Sequence, residues 1–251
     1  MSVSRRSLAL QGVAAGLLFA ALVGLGLWQL RRLEWKEALI ARIETRIRAA
    51  PTDLPPQRDW ARLAPDDYEY LRVGLRGRLD QTSEALLFSA PPKGAGDEPG
   101  YYVLSPFVLA SGGAVLVNRG FAPQSRRDDP ARRRTPAEDD IEIVGALRAP
   151  QSRNAFTPAD DPAKGVWYTR DPEKMAASLG LADAAPFVLD QEPGDGPAPD
   201  GLFRARLEAA EIPNSHFAYA VTWFTLAFVL AVMFAIYASG AIRRGRSVSS
   251  E

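Results

Sequence analysis

Two long apolar runs bracket a stretch of shorter, alternating ones. From Leu8 to Leu30 the only polar side chains are Gln11 and Gln29, and from Phe217 to Ala238 there is no charge over 22 residues. At ~1.5 Å per helical residue, either run is long enough to cross a hydrocarbon core of about 30 Å. The pattern predicts transmembrane helices over 8–30 and 217–238. A cleaved leader fits the first run poorly, because it exceeds an ordinary signal core of ~7–15 residues and no small-x-small cleavage site follows. Beyond it, Leu30, Leu33, Leu39, Ile40, Ile43 and Ile47 keep a helical period among interleaved Glu, Arg and Lys. That extends the helix over 31–50 and ends it before Pro51.

The middle of the chain changes period. After a Pro-rich passage from Pro51 to Asp67, short strands are predicted at Tyr68–Leu79, Glu84–Ser89, Tyr101–Leu109 and Gly113–Asn118. Ile141–Leu147, Val166–Thr169, Phe187–Leu189 and Leu202–Arg206 continue the series. Gly/Pro-rich segments such as Pro91–Gly100 separate them as turns, and Gln124–Asp140, with SRRDDPARRR, reads as a solvated loop. One short helix, Asp171–Leu179, has Asp171 as N-cap and Pro172 in its first turn. Many short strands with one helix imply an antiparallel barrel or sandwich over 51–210. The expected fold is thus an α+β membrane protein: a hairpin of two transmembrane helices carrying an antiparallel β-rich extracytoplasmic domain, with a cytoplasmic tail over 239–251.

Charge fixes the expected orientation. Arg5 and Arg6 precede the first run, and Arg243, Arg244 and Arg246 follow the second. An excess of basic residues on cytoplasmic flanks puts both termini inside. Between Arg31 and Pro213 there are 25 basic and 29 acidic residues, so the exposed domain is slightly acidic and a nucleic-acid partner is disfavoured. The chain has no cysteine, which excludes disulfides, thiolate metal sites and a CxxC redox pair. With three methionines, a thioether copper site is also disfavoured.

Small residues recur every four positions in both apolar runs: Gly12, Gly16, Ala20 and Gly24, then Ala227, Ala231, Ala235 and Ser239. Such spacing lets two helix backbones approach closely. His216, the only histidine, sits at the outer mouth of the second run, on the same helical face as Ala220, Trp223 and Ala227. That face is expected to turn toward Leu27 and Trp28. No GxSxG, HExxH, phosphate-cradling loop or second histidine is present, so no enzyme is expected. A lone neutral imidazole can ligate haem iron axially, with Trp28, Phe217, Tyr219 and Trp223 as an aromatic wall. It can equally hydrogen-bond a helix end at the membrane surface, and residue types alone do not choose.

Five blocks in order resemble the surfeit-locus 1 family of cytochrome c oxidase assembly factors. They are LGLWQLRRLEWKEALI, YEYLRVGLRGRLD, GYYVLSPFVL with VLVNRGFAP, VWYTRDPEKMAASLG and IPNSHFAYAVTWFTLA. Phe121 replaces a common tryptophan, and Ser215 a usual asparagine. The resemblance implies a factor of the bacterial inner membrane that assists insertion of haem a into oxidase subunit I, or stabilises that subunit. A non-haem-binding scaffold is the alternative. It further implies His216 as a haem iron ligand and subunit I, with a haem a synthesis enzyme, as partners. Asn118, Arg119 and Gly120 are the expected partner contact, or else a strand-ending turn.

Overall fold

A computed structural model describes residues 5–132, 140–194, 200–204 and 214–247. In chain order the elements are α1 (Arg5–Arg48), β1 (Thr52–Asp53), α2 (Pro65–Tyr68), β2 (Arg72–Leu79), β3 (Ala85–Ser89) and β4 (Gly100–Leu109). There follow β5 (Ala114–Pro123), β6 (Ile141–Arg148), β7 (Val166–Trp167), α3 (Pro172–Ser178), β8 (Ala184–Gln191) and α4 (His216–Ser247). The chain divides into two units, Met1–Arg42 with Ala209–Glu251, and Ile43–Glu208.

The first unit contains α4 and most of α1, the two helices long and apolar enough to cross a membrane. Their contacts run in opposite senses: Gln11 meets Tyr237, Gly12 faces Phe234, Gly26 faces Phe224, and Gln29 meets His216. The covered positions do not follow the every-four pattern. On α1 they include Gly12, Ala15, Leu22, Gly26 and Gln29; on α4 they include His216, Ala220, Trp223, Ala227, Leu230 and Phe234. Gly16, Ala20 and Gly24 are exposed, as are Ala231, Ala235 and Ser239, and nothing lies within 4 Å of a Cβ built on Gly16 or Gly24. The reason is angular. A step of four advances ~40° around a helix, so Gly12 to Gly24 swings by about 120°, whereas alternating steps of three and four drift by only ~20° per seven residues. The small-residue expectation is therefore corrected to a seam of threes and fours in which only Gly12 and Ala227 survive from it.

The second unit is organised by a closed barrel. Strand β2 pairs with β6 and β4, β6 with β8, β8 with β5, and β5 with β4. Those five pairings close a ring, with β1, β3 and β7 added at its margins. The order β6-β2-β4-β5 is a Greek key, of the same general kind as the five-stranded OB barrel. Strands β2 and β3 share one edge of β4: Phe107–Leu109 pair with β2 and Gly100–Leu104 with β3. The expectation of a wholly antiparallel domain is corrected at one barrel seam, where β5 and β8 run parallel, and at two marginal pairings, β1 with β2 and β3 with β7. Alternation marks a strand but carries nothing about its neighbour's direction, and the long link through β6 and α3 leaves the chain free to return in the same sense.

Barrel closure buries Val73, Leu75, Phe107, Val115, Val117, Ile143, Leu147, Phe187 and Leu189 together. Trp60 and Tyr68 plug this core, with ring centroids 5.6 and 5.1 Å from that of Phe187. On the other face of β5 and β8, Leu116 and Val188 pack under Met175 and Ala176 of α3. A strand covered on both faces explains why β5 reads as a nearly continuous apolar run. The last turn of α1 is fastened to this unit by Arg46, which donates to the carbonyls of Glu69 at 2.7 Å and Asp66 at 2.8 Å.

Candidate functional site

Within the helical unit the one imidazole has a defined partner. His216 Nδ1 lies 2.8 Å from Oε1 of Gln29, and Gln29 is buried. An amide oxygen only accepts, so the neutral ring must carry its proton on Nδ1, which leaves the Nε2 lone pair without that proton. A ligating histidine is held in the same manner, by a hydrogen bond at the nitrogen that does not bind the metal. Residues around His216 therefore fit an axial ligand as far as its tautomer and ring orientation are concerned.

The expected aromatic wall is only partly assembled. Trp223 is half-buried near the seam, whereas Trp28 and Tyr219 are 56% and 55% exposed. The expected approach of His216 to Trp28 is displaced by one residue, to Gln29, which lies about 100° further around α1. Sequence reasoning passed over Gln29 and Gln11, although polar residues in an apolar run characteristically face a neighbouring helix. Both do so here, Gln11 through a 2.8 Å hydrogen bond to the Tyr237 hydroxyl. Among the described residues no cluster of three or more metal-ligating side chains exists.

Asn118, Arg119 and Gly120 lie within β5, not at its end. The strand-ending turn is therefore corrected, but the glycine argument survives. Gly120 has φ +136°, and a Cβ there would stand 2.8 Å from the Phe203 carbonyl oxygen. Its neighbour Phe121 exchanges backbone hydrogen bonds with Phe203 at 2.7 and 2.9 Å, so the close approach serves an extra strand-like segment. Asn118 donates to Asp190 at 2.8 Å and accepts from the Gly120 N–H.

Arg119 is completely buried and offers no surface to a partner. Its guanidinium donates to Glu84 (3.4 Å), Ser105 (3.3 Å), the Arg132 carbonyl (2.7 Å) and Asp200 (3.1 Å). Burial pushes this guanidinium below its ordinary pKa, with Asp200 and Glu84 acting against the shift. Arg132 is buried too, 3.4 Å from Glu84 and donating to the carbonyls of Arg126 and Arg127. The reading of the segment from Gln124 as solvated is corrected at Arg132; residues 133–139 lie outside the described residues. Asp200 also receives Arg204 at 2.8 Å. These ions pin segments 126–132 and 200–204 to the barrel.

A second charged group, not anticipated from sequence, surrounds Arg148. It donates to Asp190 at 2.6 Å and Glu69 at 3.1 Å and lies 4.7 Å above the Tyr70 ring. Burial alone would lower the Arg148 pKa, but Asp190, Tyr70 and Glu69 outweigh it and hold it above its ordinary value. Tyr70 has φ +63°, unusual for a residue with a Cβ, in the turn that carries Glu69 toward Arg148.

Two apolar helices of membrane-crossing length and a five-stranded barrel with buried ion clusters define a barrel protein with a helical pair. The SURF1 family model matches residues 16–228, and the chain belongs to the SURF1 family. Surfeit locus protein 1 of Rattus norvegicus is 31% identical over 219 residues, which cover 82% of this chain and 69% of the rat protein. The Homo sapiens protein of the same name is 32% identical, covering 81% of this chain and 69% of its own length. That of Takifugu rubripes is 31% identical over 227 residues, covering 85% and 91%.

Proposed function

We propose that this protein is a non-catalytic assembly factor for a haem-copper cytochrome c oxidase, assisting haem a insertion into subunit I or stabilising that subunit. It works in the bacterial inner membrane as a hairpin of α1 and α4, with both termini cytoplasmic and the barrel outside. Subunit I, and a haem a synthesis enzyme upstream of it, are its partners. Basic tails at Arg5, Arg6 and Arg243–Arg246 support the orientation.

The observation that carries the haem reading is the Gln29–His216 hydrogen bond, because it engages Nδ1 and leaves Nε2 without a hydrogen-bond partner among the described residues. His216 would hold the iron, with Trp223 beside it. Trp28 and Tyr219 are outward-facing aromatic neighbours able to cover a lipophilic cargo. Haem a is a passing cargo here; the chain's own residues supply one ligand, its orientation and an apolar surround. In the barrel, Asn118 belongs to the partner-facing wall, and the buried Arg119 and Gly120 act behind it by holding that wall in shape.

The test is to purify wild type and His216→Ala from cells that make haem a, then compare absorption spectra and haem content at equal protein. The expected result is haem in the wild type with a shifted or depleted spectrum in the variant. Identical spectra and occupancy would remove His216 as ligand. The scaffold reading is favoured by the same bond, since a histidine–glutamine pair between helices is sufficient as interhelical glue worth about 0.6–2 kcal/mol. Haem absent from both proteins, where haem a is abundant, would select it. Reporter fusions at Ser2, Gln124 and Glu251 check the orientation: export of either terminal reporter contradicts it.

A further inference from the structure

The barrel unit has a cavity of about 420 Å³, within the size range of small-molecule clefts. Among its charged lining groups, Arg148 is matched by Asp190 and Glu69, Glu192 by Arg72 at 2.6 Å, and Arg204 by Asp200. Arg170 is the exception. It is 8% exposed and lines the cavity, yet its side chain makes one hydrogen bond, from Nε to the Ala149 carbonyl at 2.8 Å. Its two terminal nitrogens have neither a hydrogen bond nor a carboxylate within ion-pair distance among the described residues. Burial and the neighbouring Arg148 push its pKa down and outweigh Asp190, Glu69 and Tyr70, so the cation is held at a net cost. Gln191 Oε1, on another wall of the cavity, is buried with no partner among the described residues.

We infer that this cavity binds a small aromatic carboxylate, taken by the two terminal nitrogens of Arg170. The planar fork of a guanidinium matches the two oxygens of a carboxylate. A single unmatched cation calls for a single negative charge, and Asp190 and Glu192 on the same walls oppose the second charge of a phosphate. Tyr102, Tyr168 and Phe203 line the cavity and supply the apolar surface on which a ring would rest. This binding site stands apart from the haem reading and depends on none of its residues.

The test is calorimetric titration of the detergent-purified full chain with benzoate, benzamide and phenyl phosphate. Benzoate should bind saturably, and benzamide and phenyl phosphate about tenfold more weakly or worse. Arg170→Gln should lose about tenfold or more in benzoate affinity while melting as a folded protein, and Arg170→Lys should fall between. If Arg170→Gln does not fold, Ser89→Trp carries the test, because Ser89 lines the cavity from β3 and a large ring there should exclude benzoate. No saturable benzoate binding by the wild type overturns the inference. So does equal binding of benzamide, undiminished affinity in Arg170→Gln, or an acidic peptide that binds where benzoate does not.

Discussion

Arg119 and His216 are both conspicuous polar residues, and their surroundings differ in kind. Arg119 sits in the barrel with no exposure and four partners from other segments of chain. His216 is half-buried in the helical seam, with one side-chain partner and one ring nitrogen left over. A side chain whose hydrogen-bonding capacity is nearly used up is architecture, since little of it remains for a ligand. A side chain oriented through one atom and open at another is prepared for chemistry. The lesson is that burial and polarity do not by themselves mark function; an unused donor or acceptor that is not itself sealed in the core does, whereas the unpaired Nε of Arg119 is sealed. Arg170 belongs with His216 by that criterion.

Breaking the architectural side should have the largest effect. Arg119→Ala leaves Glu84 and Asp200 buried against fewer cations, and loss of one partner of a buried ion pair costs about 3–5 kcal/mol. Chemical denaturation of the barrel unit should register that loss, and an unchanged midpoint would mean the cluster is not holding segments 126–132 and 200–204. Next comes the seam. A Cβ on Gly26 would stand 2.7 Å from the Phe224 ring, so Gly26→Leu should cost about 1–3 kcal/mol of helix pairing by overpacking. Because the chain lacks cysteine, a Gln11→Cys, Tyr237→Cys pair offers a clean readout. Its cross-linking yield should fall in the Gly26→Leu background and persist with Gly16→Leu, whose position faces open space.

Gln29→Leu sharpens the comparison from the other side. It should cost only about 0.6–2 kcal/mol of helix association while releasing the imidazole from its fixed tautomer. The smallest effect is expected at a control position, the α3 N-cap. Asp171 accepts from the Lys174 N–H, and Asp171→Ala should cost about 1 kcal/mol. Partial burial pushes this carboxyl up, but hydrogen bonds from the Lys174 side chain and backbone prevail and leave it below its ordinary value. Its contribution is therefore present above the unfolded pKa of ~3.9 and disappears as pH falls through the lower folded value. Stability curves of wild type and variant should converge there.

The helices, most of the strands and the capped α3 were legible because each is written in local spacing. Asp171 followed by Pro172 announces a helix start within a few residues, and the structure starts α3 there. What was not legible depends on remote partners. Arg132 in SRRDDPARRR looks solvated until Glu84, 48 residues away, is brought beside it. The parallel seam of β5 with β8 leaves no trace in alternation, because the side-chain period is the same in either direction. The seam was misread for a geometric reason: four-residue spacing looks regular in sequence but precesses around a helix. Gln29 was the recoverable miss, since a buried amide in an apolar run signals a partner.

The central claim is that His216 is held with Nδ1 protonated and Nε2 free. With one histidine in the chain, ¹⁵N-histidine labelling reports on that ring alone. In the detergent-purified full chain, at a pH where the imidazole is neutral, the ring nitrogens should show the proton on Nδ1 and a lone pair on Nε2. Gln29→Leu should abolish that preference. A proton on Nε2, or a spectrum indifferent to Gln29→Leu, would contradict the account.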